Sequence, residues 1–388
     1  MVLIAEIVHP GERHLQLNSA LVSLVHRVFP GERITMICEQ EHARAIQTHG
    51  DHYCKRTVFK PFQSYSSGGI FFWPRKIAGE WIQMLRVILY ARKHKPILLI
   101  WTALFPTGQW ALRLLTPLLL RRQQQYLLLQ GELEYLNPDM QKPADRILRL
   151  FLRRALTRPS DRLQLIVLAD YIKERIVSRG WCAPDRIHVL PHPLHYTPRE
   201  HSGKPLPDKW TAGTFGALQE RKNSHYIFHL AAAFDTEIQA GRITFHAAGK
   251  CTPAIRHMNR QNLVKLHGAE QFLTQQALEA VISQFDLALF FYDNTAYSWC
   301  ASGAIHEALQ LEIPVLSLRN RYVDWLVRTY GTICILFDDL PQMECFIREL
   351  LHGQHTGMLE EIRKNIRRFK SENTMQQQAQ RLTTILRH

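Results

Sequence analysis

Two segments in the second half of the chain combine glycine, small polar and charged residues at a spacing suited to binding phosphate. In the first, Ser302 and Gly303 follow an apolar run and precede a helical pattern. Free backbone N–H groups at a helix start bind phosphate, and glycine lets a ligand approach the main chain. Glu307 follows about one helical turn later, where its carboxylate could accept both hydroxyls of a ribose. An ordinary serine cap followed by a solvated glutamate gives the same pattern.

The second segment is GTFGALQERKN at 213–223, in which an apolar run ends in a glycine turn at Gly216. Arg221 and Lys222 follow, just before the next helical pattern. A diphosphate carries dense negative charge, which lysine neutralises as a point charge and arginine binds through two donors. Together the two segments indicate a diphosphate site, although a pair of solvated surface cations is the alternative for Arg221 and Lys222.

Short apolar runs alternate with helical patterns along the chain, which is typical of parallel α/β sheets. The strands predicted in the first half are 3–8, 33–38, 97–101, 126–130, 163–169 and 186–191. Those predicted in the second half are 211–218, 242–249, 262–268, 285–292, 313–318 and 332–337. The last predicted element is a basic amphipathic helix from about Leu359 to the C-terminus.

A chain of 388 residues is too long for one compact core and suits two domains. The proline-rich stretch 193–209 has no apolar period and is the predicted linker. We therefore predict one Rossmann-like domain at 1–192, a second at 210–370, and a C-terminal helix at 371–388 that can pack back on the first. Two doubly wound domains joined in this way face each other across a cleft, with ligand loops at the carboxyl ends of the strands.

The net charge of +14 is unevenly distributed, with +12 in residues 1–200 and +2 in 201–388. A basic half beside a near-neutral half indicates that the first domain faces an anionic partner. Nucleic acid and anionic lipid headgroups both fit, and composition does not distinguish them. The 46% of hydrophobic and 21% of charged residues are typical of a globular protein and exclude a disordered chain.

Seven scattered cysteines without a CxxC pair favour a reducing compartment and argue against a disulfide framework or a zinc site. The start of the chain lacks a basic region and a cleavage site, so it is predicted as a strand rather than a signal peptide. The apolar stretch 96–120 carries one charge, Arg113, but prolines and a glycine divide it into a strand and an amphipathic helix. It is therefore not predicted to span a membrane.

Aromatic and basic residues interleave on a predicted helix that begins near Arg75. The pattern runs from Phe71 and Trp73 through Trp81 to the basic cluster 92–95. Such a face can lie in a headgroup layer, where each basic residue adds about 1 kcal/mol near an anionic surface. The excess charge of the same half favours peripheral membrane contact over a core-facing helix with solvated cations.

In their order and spacing, these segments resemble glycosyltransferase family 4 and its GT-B relatives. The resemblance covers roughly residues 165–335 well and the first half only in outline. The segments that carry it are 169–194, 213–223, 245–250 (FHAAGK), 264–268 (VKLHG), 285–293 (FDLALFFYD) and 302–318 (SGAIHEALQLEIPVLSL). It implies the GT-B fold and a nucleoside-diphosphate sugar as the donor.

The resemblance also implies roles for individual residues of the second domain. Lys222 would hold the donor diphosphate, Glu307 the donor ribose, and the backbone at 267–268 would meet the nucleobase. The predicted donor-binding residues are Gly216, Arg221, Lys222, His267, Gly268, Tyr297, Ser302, Gly303 and Glu307.

Two positions of the second domain depart from the family pattern. Ala217 stands where the family has an arginine, so Arg221 could substitute for it or one phosphate contact is absent. Trp299 stands at the first glutamate of the family's Glu-x7-Glu pair, which contacts the transferred sugar. The identity of the sugar and the stereochemical course are therefore open.

By the same resemblance the first domain would bind the acceptor. His14 lies in the loop after the first strand, where a histidine can act as a general base because its pKa lies near the working pH. Glu132 and Glu134 are the carboxylates of the loop after 126–130, and either could be a base or an acceptor contact. Related enzymes often carry a histidine near Gln130, which is absent here. His14, Glu132 and Lys222 are the predicted catalytic residues, and a structural role is the alternative for the first two.

The predicted function is transfer of a hexose from a nucleoside-diphosphate sugar to a glycan or lipid-linked acceptor in surface polysaccharide biosynthesis. The site of action would be the cytoplasmic face of the membrane, reached by peripheral contact. Retention of the anomeric configuration is the family's usual outcome, whereas a base such as His14 or Glu132 would give inversion. The alternatives are a nucleotide-sugar epimerase of the same fold, a basic nucleic-acid-binding protein and an inactive GT-B scaffold. No cofactor is expected beyond the nucleotide sugar, and no nucleic acid is expected because the phosphate-binding loops lie in the less basic half. No metal ion is expected, because no Asp-x-Asp motif lies in a suitable loop.

Overall fold

The computed structural model describes residues 1–63, 72–157, 161–197, 207–295 and 297–386, and it leaves out the side chains of residues 72–74. Phe71 of the predicted aromatic and basic helix, and residues 198–206 of the predicted linker, lie outside the described residues. The chain forms two compact units. The first unit comprises Met1–His195, Trp299–Ala301 and Met375–His388, and the second comprises Tyr196–Ser298 and Ser302–Thr374.

The first unit is built on a parallel sheet in the order β3-β2-β1-β4-β5-β6-β7. Its strands are β1 (Val2–Glu6), β2 (Ile34–Glu39), β3 (Val58–Phe62), β4 (Leu98–Ala103), β5 (Gln124–Leu128), β6 (Leu163–Val167) and β7 (Ile187–Val189). Every residue of β1 and β4 is buried, because helices cover both faces of a parallel sheet. All of these residues except Glu6 and Thr102 are apolar.

Helices connect these strands on both faces of the sheet. They are α1 (Leu15–Val28), α2 (Gln40–His49), α3 (His52–Arg56), α4 (Phe72–His94), α5 (Pro106–Leu119), α6 (Pro143–Leu156) and α7 (Asp170–Ser178). From β1 the chain adds β2 and β3 on one side of the sheet, and it then returns to add β4 to β7 on the other side of β1. Because the crossovers are right-handed, this places α4, α5 and α6 together on one face. In agreement with this, α5 packs against both α4 and α6.

The second unit has a parallel sheet in the order β10-β9-β8-β11-β12-β13. Its strands are β8 (Trp210–Phe215), β9 (Ile243–Ala248), β10 (Val264–His267), β11 (Leu287–Phe290), β12 (Val315–Leu318) and β13 (Cys334–Phe337). Its helices are α8 (Tyr226–Ala233), α9 (Asp235–Gln239), α10 (Pro253–His257), α11 (Gln275–Ile282), α12 (Gly303–Gln310), α13 (Arg321–Tyr330), α14 (Leu340–Leu351) and α15 (Thr356–Ser371). The predicted fold class of two doubly wound, Rossmann-like α/β units is confirmed.

The final helix, α16 (Met375–Leu386), belongs to the first unit and packs against α1. The Tyr126 hydroxyl donates to the Ile385 carbonyl (3.2 Å), which fixes α16 to the sheet. The prediction of one continuous helix from about Leu359 is wrong, because α15 ends at Ser371 and α16 begins at Met375. The Asn373 side-chain amide donates to the Phe369 carbonyl (2.8 Å) and so occupies the last turn of α15.

Strand β3 was missed by the sequence patterns because Pro61 interrupts its apolar residues. Proline lacks the N–H that an interior strand donates, so a proline argues against a central strand. Among the described strands, β3 pairs only with β2, with Pro61 opposite Cys38 at the edge of the sheet. An edge strand tolerates proline because one side of it makes no ladder hydrogen bonds.

Candidate functional site

The carboxyl ends of three neighbouring strands in the second unit end in glycines with left-handed backbone angles. Gly216, Gly249 and Gly268 follow β8, β9 and β10 and have φ angles of 103°, 129° and 69°. A Cβ on Gly249 would lie 2.0 Å from the carbonyl oxygen of Gly216. The Gly249 N–H donates to the His267 carbonyl (2.7 Å). The backbones of the three loops therefore pack directly against each other, and only glycine permits such a close approach.

The predicted phosphate loop lies beside this glycine cluster. A Cβ on Gly216 would be 3.9 Å from the Cβ of Ala304 in the first turn of α12. The Ser302 hydroxyl caps the helix by accepting from the Ile305 N–H (3.4 Å). Within the described part of the chain, the N–H groups of Gly303 and Ala304 have no acceptor. These donors and the helix dipole give the loop the properties of an anion site.

Lys222 lies half-buried over a pair of stacked tyrosines. Its Nζ is 5.5 Å from the ring centroid of Tyr292 and 5.6 Å from that of Tyr297. The two rings are 4.2 Å apart and nearly parallel, at 13°. A cation over aromatic faces is held electrostatically, so the ammonium group has a defined position, whereas Arg221 in the same turn is exposed.

The turn after Lys222 is fixed by Asn223, a residue that the sequence patterns did not single out. Asn223 has a left-handed φ of 53°, and its side-chain amide donates to Asp293 (3.0 Å) and to the Phe291 carbonyl (3.2 Å). These bonds tie the loop after β8 to the loop after β11. Asparagine directly after two cations is the pattern that could have indicated this contact, since asparagine tolerates the left-handed region.

Glu307 lies half-buried on α12, one turn after Gly303. Burial, and then the nearby carboxylate of Glu279, raise its pKa to about 7. Among the described residues no donor bonds to this carboxylate, although other half-buried glutamates of this unit are paired with cations, as Glu312 is with Lys370 (2.7 Å). Glu307 can therefore accept hydrogen bonds from a ligand.

His267 and Gly268 belong to the next loop of the same sheet edge. The His267 Nε2 lies 3.1 Å from Nδ1 of His246, and the two imidazoles stack. Burial lowers the pKa of both rings, to about 4 for His246. Both are neutral near pH 7, so one donates to the other, and the His267 side chain is engaged within the unit.

The helix that carries Glu307 is anchored by its neighbour in sequence. His306 is buried, and its Nδ1 and Nε2 form hydrogen bonds with the hydroxyls of Tyr196 and Tyr322. A histidine bonded through both nitrogens cannot rotate without losing a bond. These buried contacts of His306 fix the orientation of α12 and therefore the direction in which Glu307 projects.

In the first unit, β1 ends at a fully buried carboxylate that the sequence analysis did not select. One oxygen of Glu6 accepts from the N–H groups of Val8 (2.8 Å) and His9 (2.9 Å). The other accepts from the Thr102 hydroxyl (2.7 Å), the Asn18 amide (3.2 Å) and Nδ1 of His9 (3.2 Å). Burial alone would raise the pKa of Glu6, but His9, its hydrogen bonds and His42 hold that pKa well below the usual value. Glu6 is thus a buried, paired anion.

Asn18 and His42 form a second layer behind Glu6. The Asn18 amide donates to Nε2 of His42 (2.9 Å), and Nδ1 of His42 donates to the Gly11 carbonyl (2.5 Å). Burial lowers the pKa of His42, which agrees with a neutral ring. The Gly11 N–H donates to Glu39 (3.1 Å), so the loop after β1 is fixed at several points.

The predicted base His14 stands directly before α1 with a left-handed φ of 56°. Its ring lies 4.0 Å from that of His9. Although part of the side chain is exposed, the surrounding protein and then His9 lower the pKa of His14 well below its usual value. Among the described residues, His14 makes no hydrogen bond or ion pair with a carboxylate, whereas His9, which the sequence analysis missed, contacts Glu6. The spacing of Glu6 and His9 at the end of the first strand was the available indication.

The two carboxylates after β5 are in different surroundings. One oxygen of Glu132 accepts from the Gln109 amide (3.0 Å) and the Gln130 N–H (3.0 Å), and burial raises its pKa to about 7. Glu134 is buried and accepts from the Trp299 N–H (2.6 Å). Glu134 therefore has a structural bond, and Glu132 is the one placed to exchange a proton near neutral pH.

Trp299, the departure from the family's Glu-x7-Glu pair, belongs to the first unit. Its ring lies 3.6 Å from the guanidinium carbon of Arg175 and stacks on Trp181 at 5.6 Å. The side chain is buried. Its role in the described structure is packing within the first unit, and position 299 contributes no carboxylate.

No cluster of three or more histidine, cysteine, aspartate or glutamate side chains suited to a metal ion occurs in the described ranges. None of the helices in those ranges is both long enough and apolar enough to cross a bilayer. The described cysteines are free thiols.

No family model and no curated protein sequence matches the chain at a significant level. Solved structures do match over its whole length. Anabaena HepE, solved in complex with UDP-glucose, is 12% identical with a TM-score of 0.70, and the match covers 100% of this chain and 99% of HepE. WaaG, a glycosyltransferase involved in lipopolysaccharide biosynthesis, is 13% identical with a TM-score of 0.63 over 99% of both chains.

A putative UDP-N-acetylglucosamine 2-epimerase from Listeria monocytogenes also matches. It is 14% identical with a TM-score of 0.61, over 100% of this chain and 95% of that protein. At these identities the likeness concerns the fold alone. The chain has the GT-B fold, which glycosyltransferases and epimerases share.

Proposed function

We propose that the chain is a glycosyltransferase that moves a hexose from a nucleoside-diphosphate sugar to a glycan or lipid-linked acceptor in surface polysaccharide biosynthesis. The observation that carries the proposal is the arrangement around α12. Among the described residues, the N–H groups of Gly303 and Ala304 and the carboxylate of Glu307, all on α12, have no hydrogen-bond partner. The oriented ammonium of Lys222 lies on the loop after β8, a strand that neighbours β11 in the sheet. The N–H groups suit a diphosphate, the ammonium group neutralises its charge, and the carboxylate can accept hydrogen bonds from a ribose.

The donor would be held by the second unit and the acceptor by the first. The diphosphate would bind at Ser302 and Gly303 with Lys222, and Arg221 would supply an exposed second cation. The two ribose hydroxyls would donate to Glu307, and the backbone at 267–268 would meet the nucleobase, as the resemblance implies. UDP-glucose is the ligand in the HepE structure, which makes it the first donor to test.

The chemistry asked of the second unit is stabilisation of the departing diphosphate. Charge develops on its oxygens as the sugar leaves, and fixed donors stabilise that charge without reorganising. Removing one such donor costs about 3 kcal/mol in the barrier. Lys222 and the α12 N-terminus are fixed by contacts within the unit, so they meet this requirement without a metal ion. We expect no cofactor beyond the nucleotide sugar.

An epimerase is the second candidate, since one structural neighbour carries that description. It would use the same donor site but no acceptor. A nucleic-acid-binding protein is less well supported because the phosphate-binding loops lie in the less basic half of the chain.

We propose as well that the first unit docks on an anionic membrane surface. Among the described residues, eight of the twelve large apolar side chains that are exposed lie on α4, α5 and α6. They are Trp81, Ile82, Leu85, Leu89, Leu114, Leu118, Ile147 and Leu150. Their spacing along each helix of three or four residues places them on one face per helix.

Charge selects lipid as the occupant of this apolar face. Exposed cations lie on the same three helices, at Arg75, Arg86, Arg92, Lys93, Arg146, Arg153 and Arg154. The acidic residues in these helices are Glu80, which is buried, and Asp145, which is half-buried. Apolar side chains surrounded by cations fit an anionic headgroup layer, and an acceptor attached to a lipid would be reached from that surface. The inner face of the cytoplasmic membrane is the proposed location.

The donor proposal is tested by thermal stabilisation of the purified protein with a panel of nucleoside diphosphates. One nucleotide should raise the unfolding temperature of the wild type, and Lys222→Ala and Glu307→Ala should abolish the shift. Lys364→Ala and Glu361→Ala, at exposed positions of α15 in the same unit, should keep it. A flat response across the panel would contradict the proposal.

A further inference from the structure

Arginine side chains from α6, α7 and the turn after α7 surround two tryptophan rings in the first unit. The guanidinium carbon of Arg153 lies 5.1 Å from the centroid of the Trp181 ring, and that of Arg179 lies 5.6 Å from it. Trp181 stacks on the buried Trp299 at 5.6 Å. Over Trp299 lie Arg175 at 3.6 Å and again Arg179 at 5.1 Å. Cation–π contacts therefore hold three guanidinium groups around one pair of indoles.

The two exposed arginines of this cluster, Arg153 and Arg179, are not neutralised within the protein. Among the described residues, no carboxylate forms an ion pair with either of them. Asp161 and Asp185, which are close in sequence, pair instead with Arg186. Like charges that are brought together without a counter-ion repel each other, so an anion bound between the two guanidinium groups would be stabilised.

The other carboxylates near the cluster do not reach its exposed side. Asp170 and Glu174 of α7 line a groove against α16, together with Ile385. Glu174 and Arg175 are successive residues, so they project from different faces of α7. Glu134 is buried and accepts from the Trp299 N–H (2.6 Å). An anion that approaches from solvent therefore meets guanidinium groups and an indole.

The cluster lies beside the apolar face that we propose to dock on the membrane. Leu150, an exposed residue of that face, stands three residues before Arg153 on α6, and residues at this spacing are neighbours on a helix surface. Tryptophan is enriched at the depth of lipid headgroups. Arginine binds phosphate oxygens through two parallel donors. These properties together favour a phosphate group that is attached to a lipid.

We propose that Arg153, Arg179 and Trp181 form a binding site for the diphosphate group of a lipid, with Arg175 adding positive charge. A diphosphate carries more than one negative charge, so it can engage both exposed guanidinium groups, whereas a phosphodiester headgroup carries a single charge. This inference rests on the membrane docking proposed for the first unit, and it assigns a lipid of defined chemistry to named side chains. An acceptor glycan attached to such a lipid would be retained by the first unit through this group.

The test is sedimentation of the full chain with phosphatidylcholine vesicles that contain either geranylgeranyl diphosphate or phosphatidylglycerol, adjusted to the same total charge. The wild type should bind the diphosphate vesicles about tenfold more tightly, because charge-assisted bonds to a diphosphate add to the general attraction. Arg153→Gln with Arg179→Gln should lose this preference. Arg33→Gln with Arg44→Gln removes the same charge at exposed positions elsewhere in the unit, and it should keep the preference.

A second pair of variants separates the geometry of the site from its charge. Arg153→Lys with Arg179→Lys keeps both charges but lacks the forked donors of arginine. It should bind phosphatidylglycerol vesicles as the wild type does and lose most of the preference for the diphosphate. The diphosphate lipid should also change the tryptophan fluorescence of the wild type, and Trp181→Phe should abolish that change. Unaltered unfolding temperatures would show that these variants fold.

Equal binding of the wild type to both kinds of vesicle, or a preference that survives in the double glutamine variant, would overturn the proposal. Displacement of the protein from the diphosphate vesicles by an equal concentration of inorganic pyrophosphate would assign the site to a free diphosphate instead of a lipid. Lys222→Ala should keep the preference, because the donor site lies in the second unit. A wild type that prefers the diphosphate vesicles but ignores phosphatidylglycerol would contradict the general docking face and leave this site standing.

Discussion

Replacing Glu307 by glutamine should stabilise the free protein and weaken its binding of a nucleotide sugar. Burial raises the pKa of Glu307 from 4.5 to about 7, so the folded protein binds this proton more tightly than the unfolded chain does. The unfolding free energy therefore falls as pH rises from about 4.5 to about 7. Glutamine carries no charge, so its burial does not become less favourable as pH rises. Glu307→Gln should therefore unfold at a higher temperature than the wild type at pH 8 and at a similar temperature at pH 4.5.

The same substitution, Glu307→Gln, should weaken binding of the nucleotide sugar although it stabilises the free protein. A hydrogen bond to a charged group contributes about 1.5–3 kcal/mol and one between neutral groups about 0.5–1.5 kcal/mol. With two ribose hydroxyls on one carboxylate, loss of the charge should cost about 2–3 kcal/mol, or roughly 30- to 150-fold in Kd. The hydroxyls bind the ionised form, so affinity should rise about tenfold between pH 6 and pH 8 as Glu307 loses its proton.

Titration calorimetry with UDP-glucose at several pH values measures both quantities, because its diphosphate diester does not titrate in this range. The wild type should gain affinity with pH, and Glu307→Gln should bind weakly at every pH. Glu361→Gln is the matched control and should behave as the wild type. A variant that binds UDP-glucose as tightly as the wild type, or that is less stable than it at pH 8, would refute the role of Glu307 as an unpaired ligand group.

Three further outcomes follow from the geometry. Gly249→Ala should destabilise the second unit and abolish nucleotide binding, since its Cβ would lie 2.0 Å from the Gly216 carbonyl oxygen. Gly353→Ala is the control, because Gly353 has a φ of 83° and open space around it. It should lower stability only by the backbone strain of about 1–2 kcal/mol. Equal melting temperatures of Gly249→Ala and Gly353→Ala would contradict the clash at Gly249. Leu85→Glu with Leu118→Glu should abolish sedimentation with phosphatidylglycerol vesicles, while Met358→Glu should not; binding to neutral vesicles as strong as to anionic ones would argue against the charge contribution. Lys370→Met should lower stability by about 1.5–3 kcal/mol, because Glu312 and the Gln310 carbonyl lose their bonds to this ammonium and Glu312 keeps only its longer contact with Arg367 (3.6 Å). Urea unfolding measures this loss, and the double variant with Glu312→Leu should recover part of it.

The fold was predictable from sequence because it depends on patterns that are local in the chain. Strands such as Leu98–Ala103 are continuous apolar runs bounded by turn residues, and a parallel sheet requires them. The exceptions are residues whose role depends on their place in the sheet. Pro61 argues against a strand until its edge position is known, and Asn373 ends a helix through a side-chain bond to the preceding turn.

The candidate donor residues were predictable for a similar reason. Ser302, Gly303 and Glu307 lie on one short helix start, so their spacing alone brings them together. Tyr292 could not be selected, because its contact with Lys222 depends on which strands lie side by side. The order of strands in a sheet is a property of the whole unit, and the alternating pattern does not specify it.

His9, which contacts the buried carboxylate of Glu6, was missed because of its partner. Glu6 stands inside an apolar strand and looks like an ordinary strand residue, and its bonds to Thr102 and Asn18 come from distant parts of the chain. His14 was selected instead because it directly precedes a helical pattern. The structure separates the two, since only His9 has a carboxylate on its Nδ1.

The central claim, transfer of a sugar from a nucleotide donor, is tested most directly by following the fate of the donor. Purified protein would be incubated with UDP-glucose and with other nucleoside-diphosphate hexoses, together with an extract of lipid-linked glycans, and the products followed by mass spectrometry. We predict release of the free nucleoside diphosphate with a matching hexose gain in the extract, lost in Lys222→Ala and kept in Lys364→Ala. A donor that binds but is recovered unchanged, or is recovered as its epimer, would contradict the account.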